Sequence, residues 1–208
     1  MLHFETVEPN TLSILNDLMQ IPELHQFSLV GGTALSLLHG HRISVDLDLF
    51  SNHPFENSIL IEALKREFQD RFLMEQKPPH FGIFCFINDV KVDIVRHPHP
   101  VIRPQLLFDE IRMTSAEDII AMKVQAILGR GKKKDFWDIA ELLQHYSVAD
   151  FMQFHKEKYA TQNLLITVPQ AITYFADADE SEDPISLKKQ TWESVKEFIS
   201  GKVSSFLV

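Results

Sequence analysis

Asp46 and Asp48 stand two residues apart in the stretch 43–50, where Val45, Leu47 and Leu49 alternate with them. On a β-strand, residues at i and i+2 project from one face, so a strand here turns both carboxylates the same way. Asp93 lies in a second β-rich run, 90–95, and can converge with them at one sheet edge. Aspartate is a poor strand former, and carboxylates beside Leu47, Leu49, Val92 and Ile94 need their charge compensated. A hard divalent cation offers that compensation. Mg²⁺ takes oxygen ligands, keeps several waters, and is typically shared between one or two carboxylates and the phosphates of a substrate. Asp46, Asp48 and Asp93 are therefore candidate metal ligands, and phosphate chemistry is the candidate reaction. Taken alone, an Asp-x-Asp pair on a strand reads more simply as a solvated polar face.

The element upstream changes that balance. Residues 26–30 read as a short strand running into Gly31-Gly32, and 33–39 as a helix closed by Gly40. Glycines allow close backbone approach, and free amides at the positive end of a helix dipole bind phosphate. Thr33 can add a hydroxyl donor or cap the helix. The chain has no G-x-x-x-x-G-K-[ST] and no G-x-G-x-x-G, which excludes the P-loop and Rossmann readings on their defining residues.

Around these residues the hydrophobic periodicity predicts a helix over 11–20, the charged strand over 43–50, a helix over 58–68, and a hairpin of strands 81–87 and 90–95 turning at Asn88-Asp89. From Ser115, which reads as a helix cap, the pattern is helical: towards Gly129, then 133–146, 148–159, 164–175 and 190–200, interrupted by the acidic run 176–183. The expected organisation is α+β, with a small mixed sheet and helices over 1–110 and a helical subdomain over 111–208 that completes the cleft. Composition agrees with a folded core: 208 residues, 45% hydrophobic, with 16 Phe and 7 Gly. A net charge of −9 excludes a coat protein for nucleic acid, which works through clustered Lys and Arg. The lone Cys85 reads as packing material in a reducing cytoplasm, and no run of about 18 apolar residues marks a membrane span or signal segment.

Three motifs in order, VGGTALSLLHGHRISVDLDLF (30–50), VKVDIV (90–95) and AEDIIAMKVQAILGRGKKKDFWDIAELL (116–143), resemble the AbiEii/AbiGii toxin family of nucleotidyltransferase-like proteins. The match covers roughly residues 26–146. The resemblance implies a polymerase-β-type nucleotidyltransferase fold in which Gly31 and Gly32 hold nucleotide phosphates and Asp46 and Asp48 hold Mg²⁺. Asp93 would be a third carboxylate, as metal ligand or base. The later motif maps onto Lys123, Lys134, Asp135 and Asp138: the lysines would neutralise triphosphate or pyrophosphate oxygens, and Asp135 would orient a lysine or the attacking hydroxyl. Without the family pattern, the same stretch reads equally as an exposed basic turn followed by a solvated helix start. The implied activity is transfer of a nucleoside monophosphate from an NTP to an acceptor, with RNA, including tRNA, favoured. The implied setting is a toxin–antitoxin or phage-abortive system, often with a cognate antitoxin, and a solitary housekeeping homologue fits the chain equally. The competing reading is a nucleotide- or partner-binding module with this fold and little turnover.

Other chemistry-bearing residues divide less clearly. Among the ten histidines, His39, His41, His97 and His99 invite a zinc reading, but there is no H-E-x-x-H and no cysteine cluster. Arg42 can reach a phosphate from its loop or be an exposed arginine. Phe136, Trp137, Tyr146, Phe151 and Phe154 offer either a stacking surface or a helical core, of which the core is the simpler. The acidic run 176–183 reads as a solvated loop, a charge filter or a docking segment.

Overall fold

The structure, a computed structural model, describes residues 2–208. Pro9 at the first helical position opens α1 (Pro9–Gln20), whose buried face is Ile14, Leu15, Leu18 and Met19. Then come β1 (Ser28–Val30), α2 (Gly31–His39), β2 (Leu47–Ser51), α3 (Asn57–Phe68), β3 (Phe72–Leu73), β4 (Gly82–Ile87), β5 (Val90–Arg96), β6 (Leu106–Phe108) and β7 (Ile111–Met113). Among the described residues the strands form one seven-stranded mixed sheet, ordered β3-β4-β5-β2-β1-β7-β6. Helices α1 and α3 pack on it, against β7 and β4 respectively.

Register decides which side chains share a face. β1 and β2 run antiparallel with Val30 opposite Asp48; β2 and β5 run parallel with Asp48 opposite Asp93; β5 and β4 run antiparallel with Asp93 opposite Phe84. One sheet face therefore carries Val30, Asp48, Phe50, Phe84, Asp93 and Val95. Leu47, Leu49, Ile83, Cys85, Val92 and Ile94 alternate with them and are buried. The β4–β5 hairpin turns on Asn88 and Asp89, both at positive φ (48° and 66°), the pairing that short hairpins favour.

The strand expected over 43–50 is shorter at its start, beginning at Leu47. Residues 41–46 are instead tied to distant chain: Ser44 N–H donates to the Thr6 carbonyl at 3.0 Å, Ile43 N–H to Ile185 at 2.9 Å, and Arg42 bridges Ser186. Strands β3, β6 and β7, two or three residues each, are too short to leave a periodic signal. The expected division at 110/111 falls in the β6–β7 turn, so the sheet continues to Met113 before the helices begin.

Ser115 accepts from the Asp118 amide and starts α4 (Ala116–Gly129). Helices α5 (Lys133–Leu142), α6 (Val148–Lys158), α7 (Val168–Ile172), α8 (Ala176–Asp179) and α9 (Trp192–Leu207) follow. The helix expected over 164–175 contracts to five residues behind a capping box at Thr167, and part of the acidic run forms α8. Helix α4 packs on α5 and α6, and α5 on α9. Trp137 and Trp192 stack at 5.7 Å, with Phe136 beside Phe175 and Trp192. Phe136, Trp137, Phe151 and Phe154 are buried, so these aromatics fill the helical core.

Candidate active site

A cleft of about 450 Å³ opens between the polar sheet face and α4. One wall begins where β1 meets α2. Val30, in the cap position, makes no side-chain cap hydrogen bond, which leaves the first helical amides for a ligand. Gly31 has φ 70°, and a Cβ there would lie 2.7 Å from Asp48 Oδ2. A Cβ on Gly32 would fall 2.0 Å from an Arg42 guanidinium nitrogen. Both glycines are thus required for close approach, one to a carboxylate and one to a cation.

The aspartates stand along the rim of the cleft. Burial pushes the Asp48 carboxyl up from its ordinary value, and Asp93 beside it pushes further. Asp93 Oδ2 pairs with Lys91, while its Oδ1 is buried with no hydrogen-bond partner among the described residues. Asp46, just before β2, receives Lys134 Nζ at 3.2 Å. Two neighbouring carboxylates, one with an orphaned oxygen, form a donor set suited to a hard divalent cation.

Behind the cleft lies a second charge assembly. Asp138 is fully buried and takes Arg42 through both oxygens at 2.7 and 3.0 Å, His41 Nε2 at 2.7 Å and Lys123 at 2.5 Å. Asp135, also fully buried, takes Lys123 at 2.9 Å and Arg130 at 3.2 and 3.3 Å. Burial alone would raise both carboxyls. Arg42 and Lys123 overcome it at Asp138 and hold it well below the usual range, and Lys123 and Arg130 do so at Asp135. Burial would likewise lower Lys123, but Asp138 and Asp135 hold it above its ordinary value.

The structure therefore divides the residues singled out in the sequence. Gly31, Gly32, Asp46, Asp48, Asp93, Lys123 and Lys134 line the cleft. Thr33, Asp135 and Asp138 do not. Thr33, expected to contact nucleotide or cap the helix, is buried, and its hydroxyl is spent on Ser44 Oγ at 2.8 Å and the Asp46 carbonyl; it fixes the loop that presents Asp46. Asp138, expected at the nucleotide, is enclosed by cations away from the cleft; Asp135, expected to orient a lysine or the attacking hydroxyl, is enclosed too and bonds the cleft-lining Lys123 at 2.9 Å, the lysine contact of that expectation. Arg42, read as an exposed loop residue or a phosphate contact, is buried, locked to Asp138 and at the cleft edge. Arg130, given no separate role in the sequence reading, reaches the cleft with its side chain 53% exposed; its signal was its place at the head of Arg130-Gly-Lys-Lys-Lys134. Burial raises the Cys85 thiol to about 12, which makes it inert packing.

A family model described as nucleotidyl transferase AbiEii toxin, type IV TA system, matches residues 13–201. An uncharacterized Aquifex aeolicus protein, aq_aa25, is 30% identical over 191 residues, covering 88% of this chain and 89% of that protein. Two solved structures share the fold. JHP933 from Helicobacter pylori aligns with TM-score 0.59 at 19% identity over 96% of this chain and 92% of its own. MenT4, a nucleotidyltransferase toxin from Mycobacterium tuberculosis H37Rv, aligns with TM-score 0.59 at 11% identity over 93% and 82%. Among the described residues, no helix is long and apolar enough to cross a membrane.

Proposed function

The chain belongs to the AbiEii nucleotidyl transferase toxin family of type IV toxin–antitoxin systems, and from that premise we propose a Mg²⁺-dependent enzyme that moves a nucleoside monophosphate from an NTP to RNA, tRNA included, and releases pyrophosphate. The observation that carries this reading is the register that sets Asp48 opposite Asp93 beside the Gly31-Gly32 amides.

The α2 N-terminus would take a phosphate on its amides, with the helix dipole adding positive potential. Arg130 and Lys134 extend from the opposite wall to neutralise the rest of the triphosphate, and Arg42 and Lys123 add fixed charge from behind. Asp48 would hold the cation, joined by Asp46 once Lys134 turns to phosphate, which leaves Asp93 free as base; Mg²⁺ bound there would supply charge stabilisation to the attacking and leaving oxygens. Asp93, through its unpartnered Oδ1, draws the proton from an acceptor hydroxyl. The hydroxyl oxygen bonds to the α-phosphorus as the bond to the bridging oxygen breaks, and the electron pair leaves on pyrophosphate. Phe50 and Phe84, beside the aspartates on the same face, offer apolar surface to a base. Membership of a type IV toxin–antitoxin family supports a cognate antitoxin as partner, and the buried, inert Cys85 supports a cytoplasmic setting.

Incubation of the purified chain with each of the four NTPs labelled in the α-phosphate, Mg²⁺ and total RNA tests the reading. Label should enter RNA with equimolar pyrophosphate, and Asp48→Asn should abolish it. A binding module without turnover is the second reading, favoured by the Lys134–Asp46 pair that occupies one ligand carboxylate. Nucleotide binding without aspartate-dependent transfer would establish it instead.

A further inference from the structure

Glu141, on α5 one turn after Asp138, has a side chain only 1% exposed, so its charge must be met from within the fold. Its Oε1 receives Lys188 Nζ at 2.7 Å and lies 3.5 Å from His145 Nε2; its Oε2 accepts from Gln144 at 2.9 Å. His145 follows Glu141 by four residues and so presents itself on the same side of the chain. A third donor arrives from the last residue of α2. His39 Nε2 is buried without a hydrogen-bond partner, and the His39 ring lies 5.0 Å from that of His145. One ligand atom from each of His39, Glu141 and His145 lies within 4.8 Å of the other two, the single such triad among the described residues.

We infer that His39, Glu141 and His145 form a transition-metal site, with Zn²⁺ the ion whose donor preference fits best, and that the ion staples the C-terminal end of α2 to the end of α5. Two imidazoles and a carboxylate, with the fourth position left to water, are a recurrent zinc donor set. Zinc bonds of about 2.0–2.2 Å in a tetrahedron separate neighbouring ligand atoms by roughly 3.3–3.6 Å. The Glu141–His145 edge already has that length, and His145, about half exposed, can turn to close the others. His39 Nε2 has no other partner among the described residues. No sequence motif announces the site, because residue 39 and the pair 141/145 meet only through packing of α2 on α5.

Lys188 is the built-in competitor, since a metal on Glu141 Oε1 displaces its ammonium. Lys188 ends the segment that pairs with 41–43, where Leu187 N–H donates to the His41 carbonyl at 2.9 Å. Metal binding would thus be felt in the backbone that positions Arg42.

Titration calorimetry and thermal unfolding of the full chain, freed of any histidine tag, test the site with ZnCl₂. One equivalent should bind and raise the Tm. His145→Ala should weaken binding on the order of tenfold or more, and His39→Gln should do the same, while Lys188→Met tightens it. Asp48→Asn and a His97→Ala/His99→Ala variant should bind as the native chain does. Absence of Zn²⁺ binding overturns the proposal. So does binding that survives His145→Ala and His39→Gln, or that disappears in Asp48→Asn, which places the ion in the cleft. None of these readouts depends on nucleotidyl transfer.

Discussion

At the rim of the cleft, Asp48 and Asp93 face each other on adjacent strands, and one oxygen of Asp93 has no partner. In the layer behind, Asp135 and Asp138 are each enclosed by at least two cations. Asp48, Asp135 and Asp138 are chemically identical, and their environments push their pKa values in opposite directions: up at Asp48, down at Asp135 and Asp138. An under-compensated carboxylate has capacity left for a ligand. A saturated one has already used its charge to hold α4, α5 and the 41–42 segment together. The rim is thus where chemistry belongs, and the layer behind sets where the rim residues stand.

Breaking the rim should cost activity and not stability. Asp48→Asn is expected to lower label transfer by about a thousandfold or more, with a Tm equal to or above the native value because a like-charge contact is relieved. Breaking the layer behind should do the reverse. Asp138→Asn strands Arg42 in the interior, leaves Lys123 to Asp135 alone, and should cost about 3–5 kcal/mol in urea unfolding. Lys134→Ala separates the two layers more finely. This side chain is 38% exposed, so its loss should leave the urea midpoint alone while raising KM for the NTP about 10- to 100-fold. Thr33→Val, which removes the hydroxyl under the Asp46 loop, should cost about 1–2 kcal/mol and reduce transfer only modestly.

Acid sharpens the contrast. Asp135 and Asp138 have folded-state pKa values below those of the unfolded chain, so the unfolded chain takes up their protons first as pH falls. Their stabilisation is present above about pH 4 and is lost as pH drops through the folded values. Asp48 runs the other way: its raised value favours the protonated folded form, and that contribution fades as pH rises. Urea midpoints measured from pH 6 down to pH 3 should fall steeply in the native chain and less in Asp138→Asn.

Much of the rim was legible from the chain because its signals are local. Gly31-Gly32 before a helix, Asp46 and Asp48 at spacing two, and Asp93 after a hairpin turn at Asn88-Asp89 each declare themselves within a few residues. The α+β class followed from the same patterns. What stayed hidden depends on long-range contacts. Arg42 and Asp138 lie 96 residues apart, and nothing in a charged stretch such as Lys134-Asp135-Phe-Trp-Asp138 distinguishes a solvated helix start from one sealed by Lys123 and Arg42. Hydrogen bonds to Thr6 and Ile185 pull 43–46 out of the expected strand. Strands β6 and β7 are set by pairing with β1 and with each other, since three residues carry too little periodicity to be read.

The most direct test is label transfer from α-phosphate-labelled NTPs to RNA by the native chain and by Asp48→Asn, each shown by its unfolding curve to be fully folded. Mg²⁺-dependent labelling by the native chain and none by the variant is the expected result. Equal labelling by the two, or no labelling by the native chain with any of the four nucleotides, would contradict it.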